Sequence, residues 1–429
     1  MSNVAFYLDN EHIASVDCSD ILSGNPGIGG TEYMIITVSH LLATRQNGLN
    51  IKTFTLRQAT FPREYAYEVV KDFTSAVKKA AEEGFEYFVF KHDANLIRSG
   101  ALNSIDSNIK LIVWDHVFVC YWELDYYDRN PKIFKIVYVG REMYDLYRDH
   151  RAFRKSLYIY NCVCLDNLRE KVNFHPFSQR SNIVVYVGGL LPYKGFHLLA
   201  KAWPIILKSV PDAELYVIGS GQLYNKEIEM GEYGLAERSY EKLFMQYLCK
   251  DGRILPSVHF MGNMGHEKSE ILLRAKVGVP NPSGITETFC ISAVEMQAMG
   301  ELVATINFPG FLDTVKNGLL YKRRRNLARS VIKLLNSDNL KYEETMEYFN
   351  DNMSFDSVAS KWEKLLNGET HKIDQALCNK FYRLKWLKEV KRRLSIIFPI
   401  IYKLPPIERL LLFYERATTG NITYIDSKS

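Results

Sequence analysis

The chain reads as an α/β protein of two Rossmann-like domains with parallel sheets that face each other, followed by a helical basic tail. Three observations predict this. Short apolar, β-rich runs alternate with helical patterns, the alternation occurs twice, and a polar break near residues 173–182 separates the two series. Continuous apolar strands separated by helices mark a parallel sheet covered on both faces. The boundaries follow as an N-terminal domain over 1–172, a C-terminal domain over 183–352, a helix over 353–370 returning toward the first domain, and a basic amphipathic tail over 371–429.

In the first series, VAFYL (4–8), IKTFTL (51–56), FEYFVF (85–90), KLIVW (110–114) and KIVYV (135–139) read as strands. TEYMIITVSHLLATRQ reads as a helix opened by Gly29–Gly30, and AYEVVKDFTSAVKKAAEE (66–83) as another. In the second, NIVVYVGG, AELYVIGSG, SVHFMG, VGVP and ELVATI are strands. The helices between them are GFHLLAKAWPIILKSV, a long one near 237–250, KSEILLRA, and one from Cys290 to Gly300. SFDSVASKWEKLLNG after Asn352 is a capped amphipathic helix. Ligands of such sheets sit outside the carboxyl ends of the strands, so the space between the domains is the expected site.

Composition excludes several classes. No apolar run approaches the roughly 20 residues that cross a bilayer, and MSNVAFYLDNEH lacks the basic and apolar regions of a signal peptide. Seven Cys without a Cys-x-x-Cys spacing read as free thiols in a reducing cytoplasm. The formal charge is +5, yet residues 380–416 carry ten Lys and Arg against three Glu, a +7 segment that leaves the remainder at −2. A body of that charge is not expected to bind nucleic acid.

The stretch SGITETFCISAVEMQAMG carries the most chemistry. The amides of Phe289, Cys290 and Ile291 point out of a helix N-terminus, which suits an anion such as a diphosphate. Glu295, a turn further in, suits ribose hydroxyls, and Glu287, ahead of the turn, suits hydroxyls beyond the far phosphate. Two solvated carboxylates beside an ordinary helix is the competing reading. Lys194, in the loop after a strand ending at Gly188–Gly189, stands where it can neutralise phosphate. VIGSGQ around Gly219, and HFMGNM with Gly262, Asn263 and Met264, are strand-to-loop turns that can present backbone to a base. Gly30 permits close approach of backbone to ligand, but the full G-x-G-x-x-G run is missing, so dinucleotide binding is not expected. His116, His92 and Asp115 lie at strand ends, where a structural role competes with polar recognition.

In combination and in order, these motifs resemble the retaining glycosyltransferases of family 4, which have the GT-B fold. The resemblance covers roughly residues 1–365, and the Glu287-x7-Glu295 pair is its signature. It implies transfer of a sugar from a nucleotide-diphosphate sugar to an acceptor hydroxyl, on a glycan or lipid-linked saccharide, in polysaccharide or glycoconjugate assembly. Lys194 would contact the diphosphate, Glu295 the ribose, and Glu287 the transferred sugar. The amides near Phe289–Ile291 would take the distal phosphate, Gly30 would let the N-terminal loop approach the donor, and Gly262–Met264 would flank the base. His116 would hold the donor sugar, with His92 and Asp115 as the fallback polar site. No metal or other cofactor is expected, because a helix N-terminus and a cation stabilise the leaving diphosphate. The chain departs from the family at Gly189, where an Arg is usual; one charge-assisted contact fewer costs about 1.5–3 kcal/mol. Thr288 and Cys290 replace flanking glycines, and Asp313 in NFPGFLDTV is the stand-in for a later acidic residue.

Two other readings stay open: a non-catalytic nucleotide-sugar-binding or scaffold protein, permitted by Gly189, and a nucleotide-sugar epimerase. The tail segment Lys380–Arg416 has an apolar helical face through Phe381, Leu384, Leu387, Val390, Leu394 and Ile397 opposite a basic one. It suits either an anionic membrane surface or packing on the body with the basic face solvated. The expected location is cytoplasmic, or peripheral on the inner face of a membrane.

Overall fold

A computed structural model describes residues 2–419, apart from 47, 106–107, 167, 223–227, 340 and 370–375. The first sheet contains β1 (Ser2–Leu8), β2 (Leu49–Thr55), β3 (Tyr67–Val69), β4 (Tyr87–Lys91), β5 (Lys110–Asp115), β6 (Ile133–Tyr138) and β7 (Ser156–Tyr158). Its order is β3-β2-β1-β4-β5-β6-β7, with every pairing parallel. A two-residue hairpin, β10 (Cys249–Lys250) and β11 (Arg253–Ile254), lies apart from the second sheet. That sheet contains β8 (Ile183–Val187), β9 (Glu214–Ile218), β12 (Val258–Gly262), β13 (Val277–Gly278), β14 (Leu302–Ile306) and β15 (Gly318–Tyr321). It is also parallel, in the order β12-β9-β8-β13-β14-β15.

The central strands fall where their apolar runs place them. The expected helix over 66–83 is shorter, because Asp72 caps it by accepting from the Ser75 amide at 2.8 Å and Tyr67–Val69 instead pairs with Thr53–Thr55. Tyr342, Met346 and Phe349 of the helix Tyr342–Met353 join a core that runs across both domains, where they meet Val294 and Ala298, and the Tyr342 hydroxyl donates to the Ala298 carbonyl at 3.0 Å. In the helix Phe355–Leu366, the fully buried Trp362 meets Trp114 with ring centroids 4.8 Å apart.

Asp313 does not stand in the cleft as expected. It is buried between the domains, where its carboxylate accepts from the Glu142 amide at 2.8 Å and the Tyr160 hydroxyl at 3.1 Å. Burial, reinforced by Glu142, raises its carboxyl from 3.8 to about 7. A raised acid contributes stability that is complete below the unfolded value and lost as pH rises through the folded one. Asp313→Asn is therefore expected to gain in melting temperature against the parent as pH rises from 4 to 8. Parallel melting curves across that range would remove this role.

The tail docks with the opposite face from that expected. In the helix Lys385–Ile397, Lys385 and Lys388 are fully buried and Lys391 nearly so. Lys385 pairs with Glu142 at 2.6 Å and Lys391 with Asp149 at 3.0 Å, while Lys388 pairs with Glu408 of the helix Ile407–Thr419 and donates to the Leu146 carbonyl at 3.1 Å. Burial lowers the Lys388 pKa against the pull of Glu408. Arg148, 1% exposed, bridges Asp145 at 2.7 Å and Glu389 at 2.9 Å. Burial acts to raise Glu389, but hydrogen bonds from Arg392, Arg393 and Arg148 outweigh it and hold the carboxyl at about 2. The physical reason for the inversion is the acidic stretch Glu142–Asp149 on the N-terminal domain, which can neutralise a buried basic face.

Candidate functional site

Both sheets point their carboxyl ends at a common cleft. The helix Gly30–Thr44 opens on it from the N-terminal domain and the helix Ile291–Ala298 from the other, so close that a Cβ on Gly30 would lie 3.3 Å from the Ile291 side chain. First-turn amides have no partner within their own helix, and both N-termini add positive potential to the cleft.

The loop after β8 turns through Pro192–Lys194 into the helix Phe196–Ser209. Gly195 makes the turn with φ +73°, and a Cβ there would come within 2.7 Å of Ser283. Lys194 is thereby held against the segment that carries Glu287. Its Nζ lies 3.0 Å from Glu287 Oε2, which also accepts from Asn281 Nδ2 at 2.7 Å. Thr286, just before Glu287, has φ +67°, and Asn281 has φ +33°. A β-branched residue rarely adopts that backbone, and such strain gathers at sites where geometry is over-determined. At the far end of the cleft, Lys268 Nζ sits 3.2 Å from Glu295 Oε2. Each carboxylate of the signature pair thus faces its own ammonium. Lys268 and Glu295 also line a second hollow that continues past them toward Tyr33 and His266.

Eleven of the residues singled out in the sequence line the first cleft. They are Gly30 on the N-terminal side, Gly189 and Lys194 after β8, Gly219 after β9, Asn263 and Met264 after β12, and Glu287, Phe289, Cys290, Ile291 and Glu295 around the last helix start. Gly219 has φ +137°, and a Cβ on it would lie 2.0 Å from the Gly188 carbonyl, so the two turns touch by backbone alone. Gly262 is not a lining residue; its carbonyl accepts from the Gly219 amide at 2.7 Å.

The histidines do not join them. His116 packs against Trp114 with tilted rings whose centroids are 4.8 Å apart, its Nε2 is enclosed, and burial, helped by the Lys91 charge, pushes its pKa down to about 3. Its carbonyl accepts from Thr288 Oγ1 at 2.7 Å. His92 and Asp115 lie beneath the cleft: His92 Nδ1 is 2.6 Å from Tyr127 Oη and its Nε2 3.5 Å from Glu123. Asp115 is fully buried, and that burial, with Glu123, raises its pKa. None of the three lines the cleft; no strand-end pattern distinguishes a side chain turned into the core from one turned out. The sequence reading missed Lys268. Its signal was a Lys shortly after the HFMGNM turn, but the intervening short 3-10 turn His266–Lys268, which aims it back at Glu295, is a tertiary feature.

Residues 168–353 match the sequence model of the family described as glycosyl transferases group 1. An uncharacterized glycosyltransferase of Haemophilus influenzae is 24% identical over 208 residues, which is 45% of this chain; the match spans 59% of that protein's length. Among solved structures, Anabaena HepE in complex with UDP and glucose superposes with a TM-score of 0.62 at 15% identity, covering 86% of this chain and 100% of that one. A glycosyltransferase of Rickettsia africae gives 0.61 at 13% identity over 86% and 99%. The lipopolysaccharide outer core galactosyltransferase WaaB, in its apo form, gives 0.56 at 13% over 85% and 99%. The fold is GT-B: two parallel-sheet Rossmann-like domains across a cleft.

Proposed function

We propose that the chain is a retaining glycosyltransferase that moves a sugar from a nucleotide-diphosphate sugar to a hydroxyl of a glycan or lipid-linked acceptor, in polysaccharide or glycoconjugate assembly at the inner face of a membrane. One observation carries the reading. Two helix N-termini and two ammonium groups, Lys194 and Lys268, converge on a cleft whose two carboxylates are already held in place.

A diphosphate lodged at the start of the helix Ile291–Ala298 takes hydrogen bonds from its free amides and charge from Lys194. When the bond from the sugar to the diphosphate breaks, negative charge grows on the leaving oxygen, and those preset dipoles and the ammonium stabilise it without a metal. Glu295, at the junction of the two hollows, accepts from ribose hydroxyls. Glu287 accepts from hydroxyls of the transferred sugar. With Glu287 tied to Lys194 and Asn281, we read retention as front-face attack, with the leaving phosphate taking the acceptor proton. Lys268, paired with Glu295, adds a second cation on the ribose side of the cleft. The donor draws each ammonium from carboxylate toward phosphate or ribose, so binding redistributes existing ion pairs.

UDP and UDP-glucose are the first probes, since HepE was solved with them. UDP is expected to raise the melting temperature of the protein, and Glu295→Ala to abolish that shift while the unliganded melting point stays within about 1 kcal/mol of stability. A full shift in the variant would remove Glu295 from the nucleotide site. Binding of the donor without transfer or hydrolysis to any acceptor would favour the scaffold reading.

A further inference from the structure

Nineteen large hydrophobic side chains are exposed among the described residues, and twelve of them fall between Phe381 and Tyr414. Phe381 is 82% exposed, Ile397 67%, Ile400 70% and Phe413 74%. The buried lysines explain why. The helix Lys385–Ile397 turns its charged face onto Glu142–Asp149 and its apolar face to the outside. An amphipathic helix docked on water-soluble protein ordinarily does the reverse. A concentrated apolar patch of this kind marks a contact surface.

We propose that this outward face is a membrane-docking surface, and that its occupant is a bilayer containing anionic lipid. Charge selects that occupant. Among the described side chains of 376–414 the only carboxylates, Glu389 and Glu408, are buried, whereas Lys380, Arg393, Lys403 and Arg409 are exposed. Among the described side chains, the free face is therefore apolar and cationic. Trp386 and Tyr414 add the amphipathic rings that settle at the headgroup level. A second copy of the chain fits worse, because a two-fold contact would set these four cations against the same four. The basic residues that the sequence suggested for lipid contact are largely the wrong ones: Lys385, Lys388 and Lys391 are spent on the body. Because the tail is anchored on Glu142–Asp149, docking places the N-terminal domain next to the bilayer. Taken with the glycosyltransferase reading, on which this last step alone rests, the acceptor side of the cleft is held beside lipid.

The test is flotation of the full-length chain with vesicles of phosphatidylglycerol and phosphatidylcholine, and with phosphatidylcholine alone. The parent is expected to float with the first and at least about tenfold less with the second. The triple variant Ile397→Asp, Ile400→Asp, Phe413→Asp is expected to lose flotation at least about tenfold. Phe381→Asp, at the most exposed of these positions, lowers it in the same direction. UDP-induced thermal stabilisation, measured in parallel, reports the donor site alone and is expected to be unchanged in every variant. Equal flotation of parent and triple variant would overturn the proposal. So would a parent that does not float and is a dimer by light scattering, with the triple variant monomeric. Loss of UDP binding with flotation intact would sink the donor reading and leave the docking surface standing.

Discussion

Lys194→Met is expected to lower sugar transfer by about a hundredfold to a thousandfold, the scale seen when one preorganised group facing a developing oxyanion is removed. The fold is expected to survive at a modest cost. Lys194 and Glu287 keep only 20% and 10% side-chain exposure, so the change strips a largely buried carboxylate of one charge-assisted contact, about 1.5–3 kcal/mol. Glu287 also keeps its 2.7 Å hydrogen bond from Asn281. The loss belongs mainly to kcat, because the charge that Lys194 meets is greatest as the sugar departs. Lys268→Met is expected to behave differently, raising KM more than it lowers kcat, because its partner Glu295 lies on the ribose side. Steady-state kinetics with a UDP-sugar separates the two. Near-normal turnover in Lys194→Met, with the protein still folded, would overturn the assignment of the cleft.

Arg148→Ala is expected to release the tail from the body. Arg148 is 1% exposed and spans two carboxylates, Asp145 and Glu389, at 2.7 and 2.9 Å. Removing one member of a buried charge network leaves its partners desolvated and costs about 3–5 kcal/mol. Docking of a short helical segment has little more than that to lose, so residues 376–419 become sensitive to trypsin while the two domains stay resistant. Arg393→Gln is the control. It touches the same Glu389 at 2.8 Å, but its side chain is 74% exposed, and a change within about 0.5 kcal/mol is expected. Equal protection of the Arg148→Ala tail would show that apolar packing, not this network, holds it.

Much of the cleft's lining was legible because helix starts and turns are local. Helix starts, glycine turns and strand ends are written in short stretches, and in a parallel α/β sheet all strand ends of one domain emerge on one side. That is why Gly30, Lys194, Gly219, Glu287 and Glu295, scattered over the chain, meet in one place. The edge strands Tyr67–Val69 and Ser156–Tyr158 were not legible. Three-residue strands lack an apolar run, and their pairing partners supply the order.

The amino-acid sequence by itself determined two α/β halves, their order, and the loops that carry the charged groups, since periodicity and turn chemistry act within a few residues. It also determined that the tail has an apolar and a basic face. Only tertiary structure decided that Lys268 answers Glu295, that Asp313 belongs to the seam, and that His116 turns inward. Only tertiary structure decided which face of the tail looks out. A helical pattern defines two faces but not the surface it meets, and here the choice was made by buried charge pairing such as that of Lys391 with Asp149, 242 positions apart.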